Sequence, residues 1–187
     1  MHRFVSQLSL PRFISARLAI AVLALILTAC TGLPKGVQPI DDFELDRYLG
    51  TWYEIARLDH RFERGLSRVT ANYSLRDDGG VTVLNRGFAE ASGEFKEASG
   101  KARFVSSATT GHLKVSFFGP FYGSYVIFYL DPDYRYAFVS GYNKRNLWLL
   151  SRTPVVDDAV VTQFRSESER LGFDVSELIM VDQSPVE

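Results

Sequence analysis

Gly50-Thr51-Trp52-Tyr53-Glu54-Ile55-Ala56-Arg57 is the stretch on which the fold turns. Its glycine allows a tight entry, and the aromatic and β-branched residues that follow suit a strand. Far downstream, Leu147-Trp148-Leu149-Leu150-Ser151-Arg152 is also strand-like and ends in a cation. Between the two, period-two runs rich in Val, Tyr, Phe and Thr alternate with turn residues. The runs cover residues 51–58, 69–75, 81–88, 100–106, 112–118, 123–130, 134–142 and 146–152. Asp77-Asp78-Gly79-Gly80 reads as a hairpin turn, while Gly119-Pro120 and Asp131-Pro132-Asp133 stop the runs before them. Eight consecutive strands with short links predict an all-β fold, an eight-stranded antiparallel up-and-down barrel. A barrel of that size holds side chains or one small ligand. No parallel crossover pattern is present, which argues against an α/β enzyme fold.

The flanks fit around this barrel. Asp46-Arg47-Tyr48-Leu49 predicts a helical turn that caps the bottom. Thr153-Pro154 ends the last strand, and Asp157 can cap a helix running to about Leu171, with Gly172 as the residue beyond its end. Val160, Val161, Phe164 and Leu171 form its apolar stripe, which predicts packing on the outside of the barrel. Residues 177–181 would add a short edge strand.

The amino terminus is of another kind. Arg3, Arg12 and Arg17 precede an uncharged run over residues 18–29, too short to span a bilayer comfortably but suited to a secretory leader. It ends in Leu27-Thr28-Ala29-Cys30, which resembles a bacterial lipobox. That resemblance implies cleavage before Cys30 and lipidation of its sulfur and amino group. Thr31 in place of an aspartate favours the outer membrane by the same analogy. The organisation expected is a signal peptide over 1–29, a lipidated tether over 30–42 and a barrel domain over 43–187. Cys30 is the single cysteine, so no disulfide forms within the chain and the domain must stand on its core. Losing the first 29 of 187 residues leaves 158; three of the 21 basic residues go too, leaving 18 against 22 acidic ones, a net charge of −4. That sign gives no general attraction for nucleic acid.

Three regions resemble the signature regions of lipocalins: Gly50-x-Trp52, Asp131-x-Asp133-Tyr134 and Arg152 closing the eighth strand. Pro132 departs from the pattern, in which many members have threonine, but proline still suits a tight turn. The resemblance covers residues 43–181. It is closest to the Blc-type outer-membrane lipocalins of bacteria, through residues 49–57, Asp59-His60-Arg61-Phe62-Glu63-Arg64-Gly65-Leu66 and residues 114–123. It implies that Arg152 stacks on Trp52, a cation–π contact at the barrel floor, with Gly50 also structural.

That contact sets strand parity. With Trp52 and Arg152 inward, Glu54, Ala56, Trp148 and Leu150 should follow. Alternation and the family pattern then place Leu113, Val115 and Phe117, Tyr125, Ile127 and Tyr129, and Tyr136, Phe138 and Ser140 in the interior. This lining would suit an acyl chain. An inward Glu54 needs a partner, and an interior Tyr or Arg is expected to supply a hydrogen bond. Meander topology puts His60, Arg61, Arg64, Lys144 and Arg145 at the open mouth, where they would suit an anionic head group. Exposed Phe and Tyr at this rim would suit a membrane contact or a homodimer.

Catalysis finds little support. After cleavage only His60 and His112 remain, Cys30 would be acylated, and no nucleophile elbow, metal-ligand spacing or phosphate loop is present. No cofactor and no metal are expected. The reading is a lipid-binding protein for fatty acids or lysophospholipids, anchored at the periplasmic face of the outer membrane and serving storage or transport in membrane maintenance. A lipocalin-fold enzyme and a structural lipoprotein with a filled barrel are the alternatives.

Overall fold

The computed structural model describes residues 31–185. The leader and Cys30 lie outside the described residues. A short helix α1 (Leu45–Tyr48) precedes eight strands: β1 (Gly50–Leu58), β2 (Leu66–Leu75), β3 (Val81–Ala89), β4 (Glu94–Phe104), β5 (His112–Phe118), β6 (Phe121–Leu130), β7 (Tyr136–Ser140) and β8 (Leu147–Ser151). Helix α2 (Asp158–Arg170), a 3₁₀ turn (Val175–Glu177) and β9 (Leu178–Met180) follow. The strands pair in order from β2 to β8, and β1 pairs with both β8 and β2, which closes the ring. β9 adds to β1 outside the ring. The expected eight-stranded barrel with its outer helix is therefore the fold.

β4 begins at Glu94, six residues before the expected start, and pairs with β3 from Ala89↔Glu94 to Val81↔Ala102. Residues 94–99 are exposed on both faces, so no alternation marks them as a strand. Backbone pairing with β3 carries this part, joined by cross-strand contacts of Phe95 with Phe88 and with the Arg86 guanidinium. β7 is shorter than expected because Tyr134, with φ +60°, belongs to the turn.

The apolar residues form two clusters. One fills the barrel and includes Trp52, Tyr73, Leu113, Ile127, Val139 and Leu150. The other lies between the barrel wall and α2 and includes Val37, Val126, Phe138, Leu149 and Phe164. Phe164 meets Phe138 edge to face at 5.1 Å. Gly172, at φ +82°, ends α2; its N–H donates to Glu169 O at 2.8 Å and the Phe173 N–H to Ser168 O at 3.0 Å. These are the paired bonds of a Schellman ending.

The two clusters correct three expectations of strand parity. On β7, Ala137 and Val139 face inward, while Tyr136 and Phe138 face α2. Ser140 pairs with Leu147 and Val126, both of the outer cluster, and faces outward too. On β6 the register shifts between Ile127 and Tyr129, so Tyr125 and Ile127 face in but Tyr129 faces out. On β1 a similar shift between Glu54 and Ala56 sends Ala56 outward. A bulge adds one residue and reverses the facing of everything beyond it.

The segment 31–42 is no free spacer. Pro34 is buried and Val37 packs fully buried in the outer cluster. The Ile40 N–H donates to Ile127 O, and the Gly111 N–H to Ile40 O, both at 2.9 Å.

Phe164→Ala should lower the unfolding free energy by about 3–5 kcal/mol, because it leaves a cavity between helix and barrel. Val155→Ala, at a side chain 77 % exposed, should stay within about 0.5 kcal/mol. Urea titrations showing equal effects would contradict the packing of α2 on the wall.

Candidate functional site

The closed end of the barrel is built around Trp52. The Arg152 guanidinium lies 4.0 Å from the centre of its ring. Arg152 Nη1 donates to Thr51 O at 3.0 Å and Nη2 to Arg47 O at 2.7 Å. Trp52 Nε1 donates to Tyr48 O at 2.8 Å, tying α1 across the opening. Gly50 sits at φ +92°, and a Cβ there would come 3.5 Å from Arg152 Nη1, so the chain turns into β1 at a position that favours glycine. The expected Gly50–Trp52–Arg152 constellation is thus assembled.

Above the floor, three tyrosines share hydrogen bonds. Tyr48 Oη and Tyr125 Oη are 2.7 Å apart, and Tyr73 Oη and Tyr125 Oη 2.9 Å. Burial pushes all three phenols above their ordinary range, so they stay neutral donors and acceptors. They line a cavity of about 10 Å³ with Ala102, Leu113 and Val115. That is room for about one water. Tyr73 was legible as a member of an alternating strand, but nothing in the local pattern of α1 marks Tyr48 as interior.

Toward the mouth lies a buried polar cluster. Arg57, turned inward beyond the β1 bulge, donates from Nη1 to Glu54 Oε1 at 2.7 Å. Its Nη2 donates to Glu63 O and Leu66 O, each at 3.0 Å. Trp148 Nε1 donates to Glu63 Oε2 at 3.1 Å. The arginine partner expected for Glu54 is therefore Arg57. Burial raises the Glu54 carboxyl well above the usual range; the Glu63 charge adds to this and Arg57 opposes it. Burial raises Glu63 as well, against the hydrogen bond from Trp148. Buried side by side, the two carboxyls keep a proton to higher pH than an isolated carboxyl would.

His60 also belongs here. It is 8 % exposed, stacks on Phe62 at 4.3 Å and lies 4.9 Å from the Trp148 ring. Its Nε2 is 3.1 Å from Glu63 Oε2 but off the hydrogen-bond direction, and Nδ1 has no partner either. Burial, helped by Arg57, lowers its pKa to about 4, so the ring is neutral.

Of the expected lining, Leu113, Val115, Phe117, Tyr125, Ile127, Trp148 and Leu150 belong to the interior cluster. Tyr129, Tyr136 and Phe138 do not, for the reasons of register given above. Tyr129 instead borders an outer groove of about 260 Å³, with Gly36, Phe128 and Leu171 among its walls. Among the expected mouth residues, Arg61, Arg64 and Arg145 are exposed, and Arg64 Nη2 pairs with Asp59 Oδ2 at 2.7 Å. Two placements need correction. His60 is buried under the loop between β1 and β2, because its ring packs on Trp148. Lys144 bends to the end of α2, its Nζ 2.9 Å from where a Cβ on Gly172 would stand, as suits a cation near helix carbonyls. Sequence reasoning missed Arg57 and Glu63 as interior groups. The outer rim carries Phe62, Phe118 and Phe121, which are 65 %, 82 % and 71 % exposed.

Among the described residues no cluster of His, Cys, Asp and Glu could hold a metal ion, and no helix is long and apolar enough to cross a membrane. The lipocalin-like domain family matches residues 43–183, the whole barrel with its outer helix and last strand. The chain is a lipocalin. This lipocalin is 60 % identical over 161 residues to the outer membrane lipoprotein Blc of Vibrio cholerae, covering 86 % of this chain and 94 % of the relative. It is 51 % identical over 167 residues to the outer membrane lipoprotein Blc of Escherichia coli K12, covering 88 % and 94 %. Among solved structures it resembles insecticyanin from the tobacco hornworm Manduca sexta, with a TM-score of 0.66, 24 % identity and coverage of 82 % and 87 %, which speaks to the fold alone. Family and apolar-lined barrel together support a role in binding hydrophobic ligands.

The neutral His60 carries a pH signature. Between pH 6.5 and about 4 the unfolded chain takes up a proton at this residue and the folded one does not. The stability due to neutral His60 is present above pH 6.5 and is lost as pH falls, by up to about 3 kcal/mol at roughly 1.4 kcal/mol per pH unit. The raised carboxyls act in the opposite direction, losing their contribution as pH rises through their folded values. The stability difference between wild type and His60→Gln should therefore shrink by about 3 kcal/mol between pH 7 and pH 4 in urea titrations. A difference that stays constant with pH would show that His60 is free to ionise in place.

Proposed function

We propose that this lipocalin takes single-chain lipids, fatty acids or lysophospholipids, tail-first into the barrel, acting as a binding protein rather than an enzyme. The observation that carries this reading is the gradient along the barrel axis. The floor is sealed by Trp52 and Arg152, the middle is apolar with three phenols, and the buried charges sit near the mouth. An amphiphile shares that polarity. Each methylene transferred from water contributes about 0.8 kcal/mol, so ten supply about 8 kcal/mol before the costs of binding. The names of the Blc relatives and the lipobox-like Leu27-Thr28-Ala29-Cys30 support a lipid anchor on Cys30 in the outer membrane, and periplasmic storage or transport of lipid in membrane maintenance. The apolar rim of Phe62, Phe118 and Phe121 is where a homodimer would form.

One observation favours a second reading. With a cavity of about 10 Å³, the interior is nearly filled, as in a structural lipoprotein whose barrel takes no ligand. On the lipid-binding reading, entry requires interior side chains and the loop between β1 and β2 to move aside.

Native mass spectrometry of the unlipidated mature chain separates the two. Copurified or added single-chain lipid should appear as a discrete mass increment; a chain that refuses every lipid offered overturns the lipid reading in favour of the filled barrel. Val115→Trp, in the cavity wall, should weaken lipid binding at least tenfold, whereas Tyr129→Ala on the outer groove should leave it unchanged. The reverse order would place the ligand outside the barrel.

A further inference from the structure

The buried cluster near the mouth sets two carboxyls, Glu54 and Glu63, beside a single guanidinium. Of the Arg57 nitrogens, Nη1 is committed to Glu54 and Nη2 to two backbone carbonyls, which leaves only Nε unpaired. Trp148 Nε1 is committed to Glu63. Facing these are two carboxyls and a neutral imidazole that is more than nine-tenths buried and has no hydrogen bond at either ring nitrogen. A neutral imidazole has one acceptor nitrogen and one N–H, and here the acceptor has no donor. Trp148 Nε1 and His60 Nε2 each lie 3.1 Å from Glu63 Oε2, and the two rings are 4.9 Å apart. Buried carboxyls beside aromatic rings form a chemical environment that receives an ammonium ion.

We propose that Glu54, Glu63, His60 and Trp148 form a subsite for an ammonium-bearing head group, which brings the second positive charge that two carboxyls beside one guanidinium lack. The idea rests on the lipid-binding reading and specifies the head group for the same interior. Charge balances in the exchange. Without ligand, burial favours one proton on the carboxyl pair, and the remaining negative charge is matched by Arg57, which pairs with Glu54. With ligand, the ammonium N–H groups donate to Glu63 and His60, that proton passes to solvent, and two carboxylates face two cations. A fatty-acid carboxylate brought to the same place would add a third acidic group beside one committed arginine. The groups facing the carboxyls are Arg57 on β1, His60 on the loop, Tyr73 on β2 and Trp148 on β8. Neither Tyr73, whose phenol is pushed up by burial, nor the neutral His60 changes charge near neutral pH. This reverses the expectation of an anionic head group drawn from the rim cations, two of which are accounted for by Asp59 and by the end of α2.

The test uses residues 31–187, the mature chain without Cys30 and hence without lipidation, and three probes of one tail length: dodecylammonium, dodecanoate and dodecanol. Titration calorimetry at about pH 6 and about pH 8, in buffers of different ionisation heat, reads affinity and protons released together. Dodecylammonium should bind at least tenfold more tightly than dodecanoate near neutral pH. It should release about one proton per ligand at the lower pH, and its affinity should rise with pH by up to about tenfold per unit while that proton is still held. Dodecanol should release none. Glu63→Gln should abolish the preference for dodecylammonium while dodecanol still binds. Should that variant fail to fold, Glu54→Gln must remove the proton release and the pH dependence. Dodecanoate binding as tightly as dodecylammonium, or dodecylammonium binding without proton release, overturns the subsite. Failure of all three probes to bind overturns the lipid-binding reading itself, and the subsite with it.

Discussion

The guanidinium of Arg152 lying on the indole of Trp52 is the contact on which the barrel's geometry depends. It joins the first barrel strand to the end of the eighth, so it closes the ring at the same point where it seals the floor. Both of its terminal nitrogens donate to backbone carbonyls, at Thr51 and Arg47, and so it also holds α1 beneath the strands. Lysine has the charge but not the flat fork that can stack on an indole and reach two carbonyls at once. The indole is fully buried, which strengthens the stacking contact, while the two hydrogen bonds to backbone lie at the exposed edge of the floor.

That contact also explains how far strand facing can be read from the amino acids alone. On β8 the reading is sound: Trp148 and Leu150 point inward, as Trp52 does on β1. Two bulges then break the count, one near Ile55 on β1 and one near Phe128 on β6. Neither is flagged by glycine or proline, so nothing local announces it. β7 fails for a different reason. Tyr136-Ala137-Phe138-Val139 is apolar at every position because one face lines the barrel and the other lies under α2. Alternation is visible only where one face meets water. The large aromatics went to the helix side, where Phe164 and Tyr129 receive them, and the smaller Ala137 and Val139 went inside.

The same covering of the outer wall accounts for the segment before α1. Its two glycines and two prolines read as a tether, yet Pro34 and Val37 bury themselves against the barrel, and Ile40 bridges Gly111 and Ile127. Sequence composition reports the flexibility of a free chain, and packing can remove it wherever an apolar wall is at hand. His112 on β5 meets the Thr31 backbone, one residue from Cys30.

The buried charges near the mouth pose the sharper energetic question. A sealed floor and an apolar middle are served by any set of well-packed side chains, as the family's likeness to distant barrels at 24 % identity suggests. Two carboxyls, a guanidinium and an imidazole in the same interior are costly to desolvate, and hydrophobic replacements of equal volume would commonly be as stable or more so. The cluster does fasten the loop between β1 and β2, through Arg57 to Glu63 O and Leu66 O and through Trp148 to Glu63. Arg57 and one acceptor would be enough for that. Fastening the loop does not account for the second carboxyl, for the proton that it must hold, or for a buried histidine left without a hydrogen bond. Groups that destabilise the empty barrel and are satisfied by a cation are what a barrel selecting its ligand by the head group requires, since specificity grows when the wrong ligand leaves buried polar groups unpaired.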